Sequence, residues 1–124
     1  MVNLVDSSLD FWLTSEPWVK KFETKMAEYL NIKYCSLTNS GSLANLLAFM
    51  ALTVQELCGR RIKRRDEVIT VSTGFPTTVI SIIQYEAVLV FVDVTVPAYN
   101  IDVNMLEDVL SEKTKAIMYS KYII

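Results

Sequence analysis

An α/β fold with a mainly parallel sheet and flanking helices is predicted by three features of this 124-residue chain. Two continuous apolar runs of strand length, EVITV at 67–71 and VLVFV at 88–92, have the pattern of strands covered on both faces. Around and between them lie stretches whose apolar residues recur at helical spacing. Crossovers through helices then impose a parallel direction on the strands they join.

Taken in order, Ser15-Glu16-Pro17 reads as a helix start, with a capping hydroxyl and a proline where a missing N–H does no harm. Trp18, Phe22, Met26 and Tyr29 follow on one face of a helix ending near Leu30 and closed by Asn31. Tyr34 to Leu37 reads as a short strand, and Thr38 to Ser42 as a polar turn behind it. A helix is expected from about Ser42 to Leu57, its stripe formed by Leu43, Leu46, Leu47, Met50, Val54 and Leu57, with Gly59 just past its end. After the strand at 67–71, Ser72 to Gly74 is a turn and Pro76 to about Gln84 a short helix. Beyond the second strand, Asp93 to Asn100 is a loop. Asp102 caps a helix over 103–110, with Ile101 and Leu106 placed as a hydrophobic staple. Ala116 to Tyr119 is the last strand. No repeat, low-complexity segment or Pro/Gly-rich linker divides the chain, so residues 1–124 are read as one domain.

Hydrophobic residues make up 52% of the chain, an apolar excess that predicts a surface meant for a partner. Twelve Lys and Arg against fourteen Asp and Glu give a net charge of -2, which argues against a general attraction to nucleic acid or anionic membrane. The basic run Arg60 to Arg65 has no interleaved aromatic residue to stack on bases and reads as a solvated connection. Cys35 and Cys58 have neither metal-ligand spacing nor disulfide density, and are expected as buried free thiols in a reducing compartment. No apolar run approaches the ~20 residues of a membrane span. The N-terminus lacks the basic and apolar regions of a secretory signal, so the expected location is cytoplasmic.

The stretch TNSGSLANLLAFM at 38–50 raises the first chemical question. A strand, a small polar turn and a helix with unpaired first N–H groups make an anion site, usually for phosphate. Gly41 allows close backbone approach and Ser42 adds a hydroxyl. Ser40 or Ser42 as an ordinary N-cap explains the same residues equally well. The chain has no histidine, which excludes Ser-His and Cys-His nucleophiles and the commonest metal ligand. Asp93 sits at the end of a predicted inner strand, where open α/β sheets place ligands, although Asp is also a frequent turn former. The three glycines, Gly41, Gly59 and Gly74, form no G-x-G-x-x-G or Walker spacing, which disfavours a small nucleotide-binding module.

Several stretches taken together resemble one family. WVKKFETKMAEYL, TNSGSLANLLA, DEVITVSTGFPTTV, VLVFVDVTVPAYNID and LSEKTKAIM are similar to the N-terminal half of the large domain of the DegT/DnrJ/EryC1/StrS sugar aminotransferases. The resemblance covers residues 15–118 and is strongest to the branch of nucleotide-sugar 3-dehydrases of the CDP-4-keto-6-deoxyglucose type. It implies part of a fold type I large domain that uses pyridoxal phosphate (PLP), in an enzyme working as a homodimer with sites at the subunit boundary. Its substrates would be nucleotide-linked 4-keto-6-deoxy sugars of lipopolysaccharide O-antigen synthesis. It further implies that Gly41 and Ser42 hold the cofactor phosphate and that Phe75 stacks on the pyridine ring.

The family's partner for the pyridine nitrogen, its cofactor-binding lysine, and the histidine that replaces that lysine in the 3-dehydrases would all lie downstream. So would the iron–sulfur cysteines of one subgroup, so neither Cys35 nor Cys58 is assigned as a cluster ligand. The ending YSKYII departs from the family's pattern, which suggests a truncated reading frame with Tyr119 to Ile124 out of register. The expectation is an N-terminal fragment of a PLP-dependent dehydrase or aminotransferase, not catalytically competent alone. The alternative is a non-catalytic remnant that at most binds phosphate or another chain.

Overall fold

The structure, a computed structural model, describes residues 2–11 and 17–119, and these divide into two compact units, residues 1–39 and 40–124. The first unit holds two helices, α1 (Val2–Leu9) and α2 (Trp18–Tyr29). Helix α1 has no counterpart in the sequence reading. Ser15, whose hydroxyl is the expected cap of α2, and Glu16 lie outside the described residues, and Pro17, expected in the first turn, instead precedes the helix without a side-chain cap. Asn31 closes α2 as expected: it takes a left-handed φ of 52°, which Asn tolerates, while the Asn31 and Ile32 N–H groups donate to Glu28 and Ala27 carbonyls. On the predicted apolar face Trp18 and Met26 are half-buried, whereas Phe22 and Tyr29 are exposed and Ala27 is the buried residue.

No strand forms at Tyr34–Leu37, contrary to expectation. Among the described residues the segment has no partner strand, and the Leu37 N–H instead donates to Glu23 Oε1 at 2.7 Å. A side chain thus takes the Leu37 N–H that a ladder would otherwise pair.

The second unit opens with α3 (Gly41–Ala51). The helix stops six residues short of the expected Leu57. Its last turn tightens through bonds from Leu52 and Thr53 N–H to Phe49 and Met50 carbonyls, and the Ile62 N–H caps the Leu52 carbonyl. Thr53 Oγ1 also bonds back to Met50 O at 2.7 Å, the local competition that makes Thr a poor helix continuation. A 3-10 stretch over Gln55–Arg60 follows, and its positive φ falls on Cys58 (φ 51°, ψ -122°), not on Gly59. Both cysteines are free, but Cys35 is half-buried and Cys58 exposed, so neither is the buried thiol expected.

Strand β1 (Glu67–Val71), helix α4 (Pro76–Gln84) and strand β2 (Val88–Val92) form where the sequence places them. Strand β5 (Thr114–Ile117) begins two residues earlier than expected. The sheet order is β2-β1-β5, with β1 parallel to both neighbours. The predicted loop after β2 contains a small antiparallel pair, β3 (Val94–Thr95) with β4 (Asn100–Ile101). Asp102 caps as expected, its Oδ1 accepting from the Asn104 N–H at 3.0 Å. The helix it starts is divided into a 3-10 turn, Val103–Met105, and a short α5, Leu106–Val109.

The period of two in β1 builds the core. Val68 joins Phe49, Ile62 and Ile82 on the face covered by α3 and α4, with Leu89, Ala116 and Met118 packed alongside. Ile69 and Val71 join Val92 and Ile101 on the other face, where Leu106 and Val109 pack in the manner the staple predicts. Both faces of β1 are therefore covered. Strand β2 was expected to be equally buried, but it forms one side of the described sheet and leaves Val88 and Phe91 exposed.

Candidate functional site

The path of the chain brings the start of α3 and the start of α4 to one edge of the sheet. Helix α4 begins five residues after β1 ends, at that strand's carboxyl end. Helix α3 precedes β1, and its C-terminal end is tied to the chain entering that strand by the bond from Ile62 N–H to Leu52 O. Near the far ends of both helices, Phe49 and Tyr85 meet edge to face with ring centroids 5.9 Å apart. The Tyr85 hydroxyl donates to Ile62 O at 3.2 Å. Eleven helical residues at ~1.5 Å each and five strand residues at ~3.3 Å each give the same ~16 Å, so α3 spans the depth of the sheet. Its N-terminus therefore lies at the carboxyl edge, where open parallel sheets bind ligands.

At that N-terminus the cap is Ser40. Its backbone is extended, its Oγ accepts from the Leu43 N–H at 3.3 Å, and its carbonyl accepts from the Ala44 N–H at 3.0 Å. The Gly41 and Ser42 N–H groups have no protein acceptor among the described hydrogen bonds. Both residues are exposed, and a Cβ on Gly41 would meet no atom within 4 Å. Two outward donors, a hydroxyl and open space are what an anion requires, with the helix dipole adding to their attraction.

Phe75 immediately precedes α4 and is 65% exposed, so an apolar ring stands free at the same edge instead of joining the core. Thr78, whose N–H donates to the Phe75 carbonyl at 2.9 Å, is buried, and its Oγ1 has no hydrogen-bond partner. Sequence reasoning missed this hydroxyl; its only signal is the second Thr of the FPTT stretch. Asp93 behaves as a turn former: it is exposed, its Oδ1 accepts from the Val94 N–H at 2.8 Å, and its carbonyl accepts from Asp102 N–H.

Two clefts lie elsewhere. One of ≈ 540 Å³, in the first unit, is bordered by residues including Glu23, Lys33 and Cys35. The other, ≈ 450 Å³, is bordered by Gln55, Cys58, Gly59, Arg61 and Lys63. Neither is lined by Gly41, Ser42 or Phe75. In the basic run Ile62 is buried and Arg61 half-buried while the other residues are exposed, with an exposed Arg64–Glu86 ion pair at 3.4 Å. Among the described residues no group of His, Cys, Asp and Glu is placed to hold a metal ion, and no helix is long and apolar enough to cross a membrane.

A parallel sheet with two helix N-termini, one with backbone donors that have no described acceptor and the other directly behind an exposed aromatic ring, is the arrangement found here. Comparison with known proteins makes the assignment specific: residues 2–123 match the sequence profile of the DegT/DnrJ/EryC1/StrS aminotransferase family, and the chain belongs to it. The match extends at both ends beyond the 15–118 covered by the resemblance.

Among curated relatives, the chain is 50% identical to the lipopolysaccharide biosynthesis protein RfbH of Salmonella typhimurium, over 93% of this chain and 26% of the relative. It is 38% identical to the dTDP-4-dehydro-2,6-dideoxy-D-glucose 3-dehydratase of Saccharopolyspora spinosa, over 94% of this chain and 25% of the relative. Among solved structures, the E. coli GDP-4-keto-6-deoxy-D-mannose-3-dehydratase with bound hydrated PLP superposes with a TM-score of 0.83 at 34% identity. That superposition covers 94% of this chain and 30% of the solved one. The chain thus spans between a quarter and a third of the length of these relatives. The α/β aminotransferase-type fold, with its parallel sheet and flanking helices, is the one the sequence predicts.

Proposed function

We propose that this chain is the N-terminal part of the large domain of a PLP-dependent nucleotide-sugar 3-dehydrase or aminotransferase of deoxysugar and lipopolysaccharide O-antigen synthesis. The observation that carries the reading is the first turn of α3, with free N–H groups on Gly41 and Ser42, open space at Gly41 and the exposed ring of Phe75 at the same sheet edge. PLP consists of a phosphate and a flat pyridine ring, and these residues fit those two parts. The relatives named as 3-dehydratases, and the solved relative with PLP, support the same choice.

Bound PLP supplies an electron sink for bond changes next to a substrate carbon. The chain's own residues do simpler work. Gly41 and Ser42 N–H would donate to phosphate oxygens, and the Ser42 hydroxyl would add a third donor. Phe75 would offer an apolar face to the ring and keep water from it. None of the three moves a proton in the reaction, and no residue here is assigned a catalytic role, so the isolated chain is a binding unit. The intact protein would be a cytoplasmic homodimer acting on a nucleotide-linked 4-keto-6-deoxy sugar, without nucleic-acid or membrane partners.

Equilibrium dialysis of the chain against PLP and against pyridoxal tests this. PLP is expected to bind at least tenfold more tightly, since one charge-assisted hydrogen bond alone contributes about 1.5–3 kcal/mol. Equal affinities would remove the phosphate from the account. Borohydride treatment is expected to leave no stoichiometric adduct at a single lysine; one would show that the cofactor sits elsewhere.

The second reading, a remnant that associates with another chain, is favoured by the exposure of Leu43, Leu47, Met50, Ile80, Ile83 and Phe91. It predicts self-association at low concentration in sedimentation, with no preference for PLP over pyridoxal.

A further inference from the structure

We infer that the ≈ 450 Å³ cleft bordered by Arg61 and Lys63 is a binding site for a small, polar, phosphorylated molecule. The residue between the two cations dictates their pairing. Ile62 is 1% exposed, its N–H donates to Leu52 O at 2.9 Å, and its carbonyl accepts from the Tyr85 hydroxyl at 3.2 Å. It is thereby fixed against the end of α3 and the core. Arg61 has an extended backbone (φ -64°, ψ 147°). Side chains alternate along an extended chain, so with Ile62 turned inward its two neighbours turn outward together. Both border the same cleft, Arg61 half-buried and Lys63 exposed.

The walls decide the charge of the occupant. Besides the two cations, the cleft is bordered by Gln55, Cys58 and Gly59, with no carboxylate among them. Of the neighbouring acids, Asp66 accepts from the Lys63 N–H through Oδ2 at 2.7 Å and Glu86 pairs with Arg64, while Glu56 is exposed; none of the three borders the cleft. The cleft in the first unit differs, since its Lys20 and Lys33 are matched by Glu23 and Glu28. A phosphate monoester carries about -1.5 to -2 charges at neutral pH and three acceptor oxygens, which suit one guanidinium fork and one ammonium. The volume lies within the roughly 300–1,000 Å³ of small-molecule sites and leaves room for a body attached to the phosphate. No aromatic or branched aliphatic side chain is among the walls, so that body is polar, with the Gln55 amide able to donate and accept. A pyridine ring would find no matching surface here, and the inference does not depend on the PLP reading.

Amide NMR of the isotope-labelled chain, titrated with glycerol 3-phosphate, locates the binding. Saturable shifts are expected at Gly59, Arg61 and Lys63, and none with glycerol. Arg61→Gln and Lys63→Gln should each weaken binding about tenfold, the loss of one charge-assisted hydrogen bond. Arg60→Gln and Arg65→Gln remove the same charge from the same run outside the cleft. They should leave the affinity within about threefold, because exposed charges are screened by salt. All four substitutions leave Ile62 and its two hydrogen bonds in place, and spectra of the free variants check that the fold is kept.

Shifts that never saturate in the wild type overturn the inference without any variant. So does a loss in Arg60→Gln as large as that in Arg61→Gln, which would assign the attraction to the whole run. A response confined to Gly41 and Ser42 also overturns it and leaves the phosphate reading of the α3 turn intact. A response at Arg61 and Lys63 alone supports it and counts against that reading.

Discussion

Gly41→Ala separates folding from binding at a single atom. Gly41 is the first residue of α3, and its φ is not in the left-handed region, so Ala fits the backbone without strain. The added Cβ meets nothing within 4 Å, so the fold has no clash to relieve. Restricting the unfolded chain is then worth about 0.4–1 kcal/mol in favour of the folded state. Binding changes in the opposite direction. Side-chain bonds in a helix tilt toward its N-terminus, so the new methyl would crowd the phosphate site proposed at that turn. Loss of one charge-assisted hydrogen bond costs about 1.5–3 kcal/mol, roughly a tenfold to hundredfold rise in Kd. Thermal unfolding of the free chain should show a Tm equal to or above wild type, while dialysis shows PLP binding weakened and pyridoxal binding unchanged. Wild-type affinity for PLP in this variant would refute the close backbone approach at Gly41.

Three further substitutions test the framework that holds the site. Phe49→Ala, at a side chain 1% exposed and set against Tyr85, should cost about 3–5 kcal/mol in denaturant unfolding; a loss under about 1 kcal/mol would mean α3 and α4 are not joined there. Thr78→Val removes a buried hydroxyl that has no partner and should raise stability by about 1 kcal/mol, whereas a clear loss in the same melts would reveal a partner for that oxygen. Cys58→Gly relieves a backbone conformation that suits glycine (φ 51°, ψ -122°) and should also stabilise by about 1 kcal/mol; a lower Tm would contradict the turn geometry.

Residues whose structure is dictated locally were legible in the sequence. EVITV and VLVFV carry enough β-branched and apolar residues to form strands wherever partners exist, and Pro76 fixes the start of α4. Asp102 caps because its carboxylate finds the next free N–H without help from distant residues. Tyr34–Leu37 shows the opposite case, because a strand exists only with a neighbour and this segment has none among the described residues. The early end of α3 was illegible for a related reason. Val54 and Leu57 keep helical spacing, but Thr53 and the returning Ile62 N–H take the carbonyls at the helix end. At the site, the cap was legible as a choice between Ser40 and Ser42, and the fold resolves it in favour of Ser40. Phe75 looks like an ordinary core aromatic until its exposure beside the α4 start is seen.

A crystal structure of the chain soaked with PLP tests the central claim most directly. The account predicts density for the phosphate within hydrogen-bonding distance of the Gly41 and Ser42 N–H groups, with the pyridine ring against Phe75. Density for the cofactor in the cleft lined by Arg61 and Lys63, with the first turn of α3 empty, would contradict it.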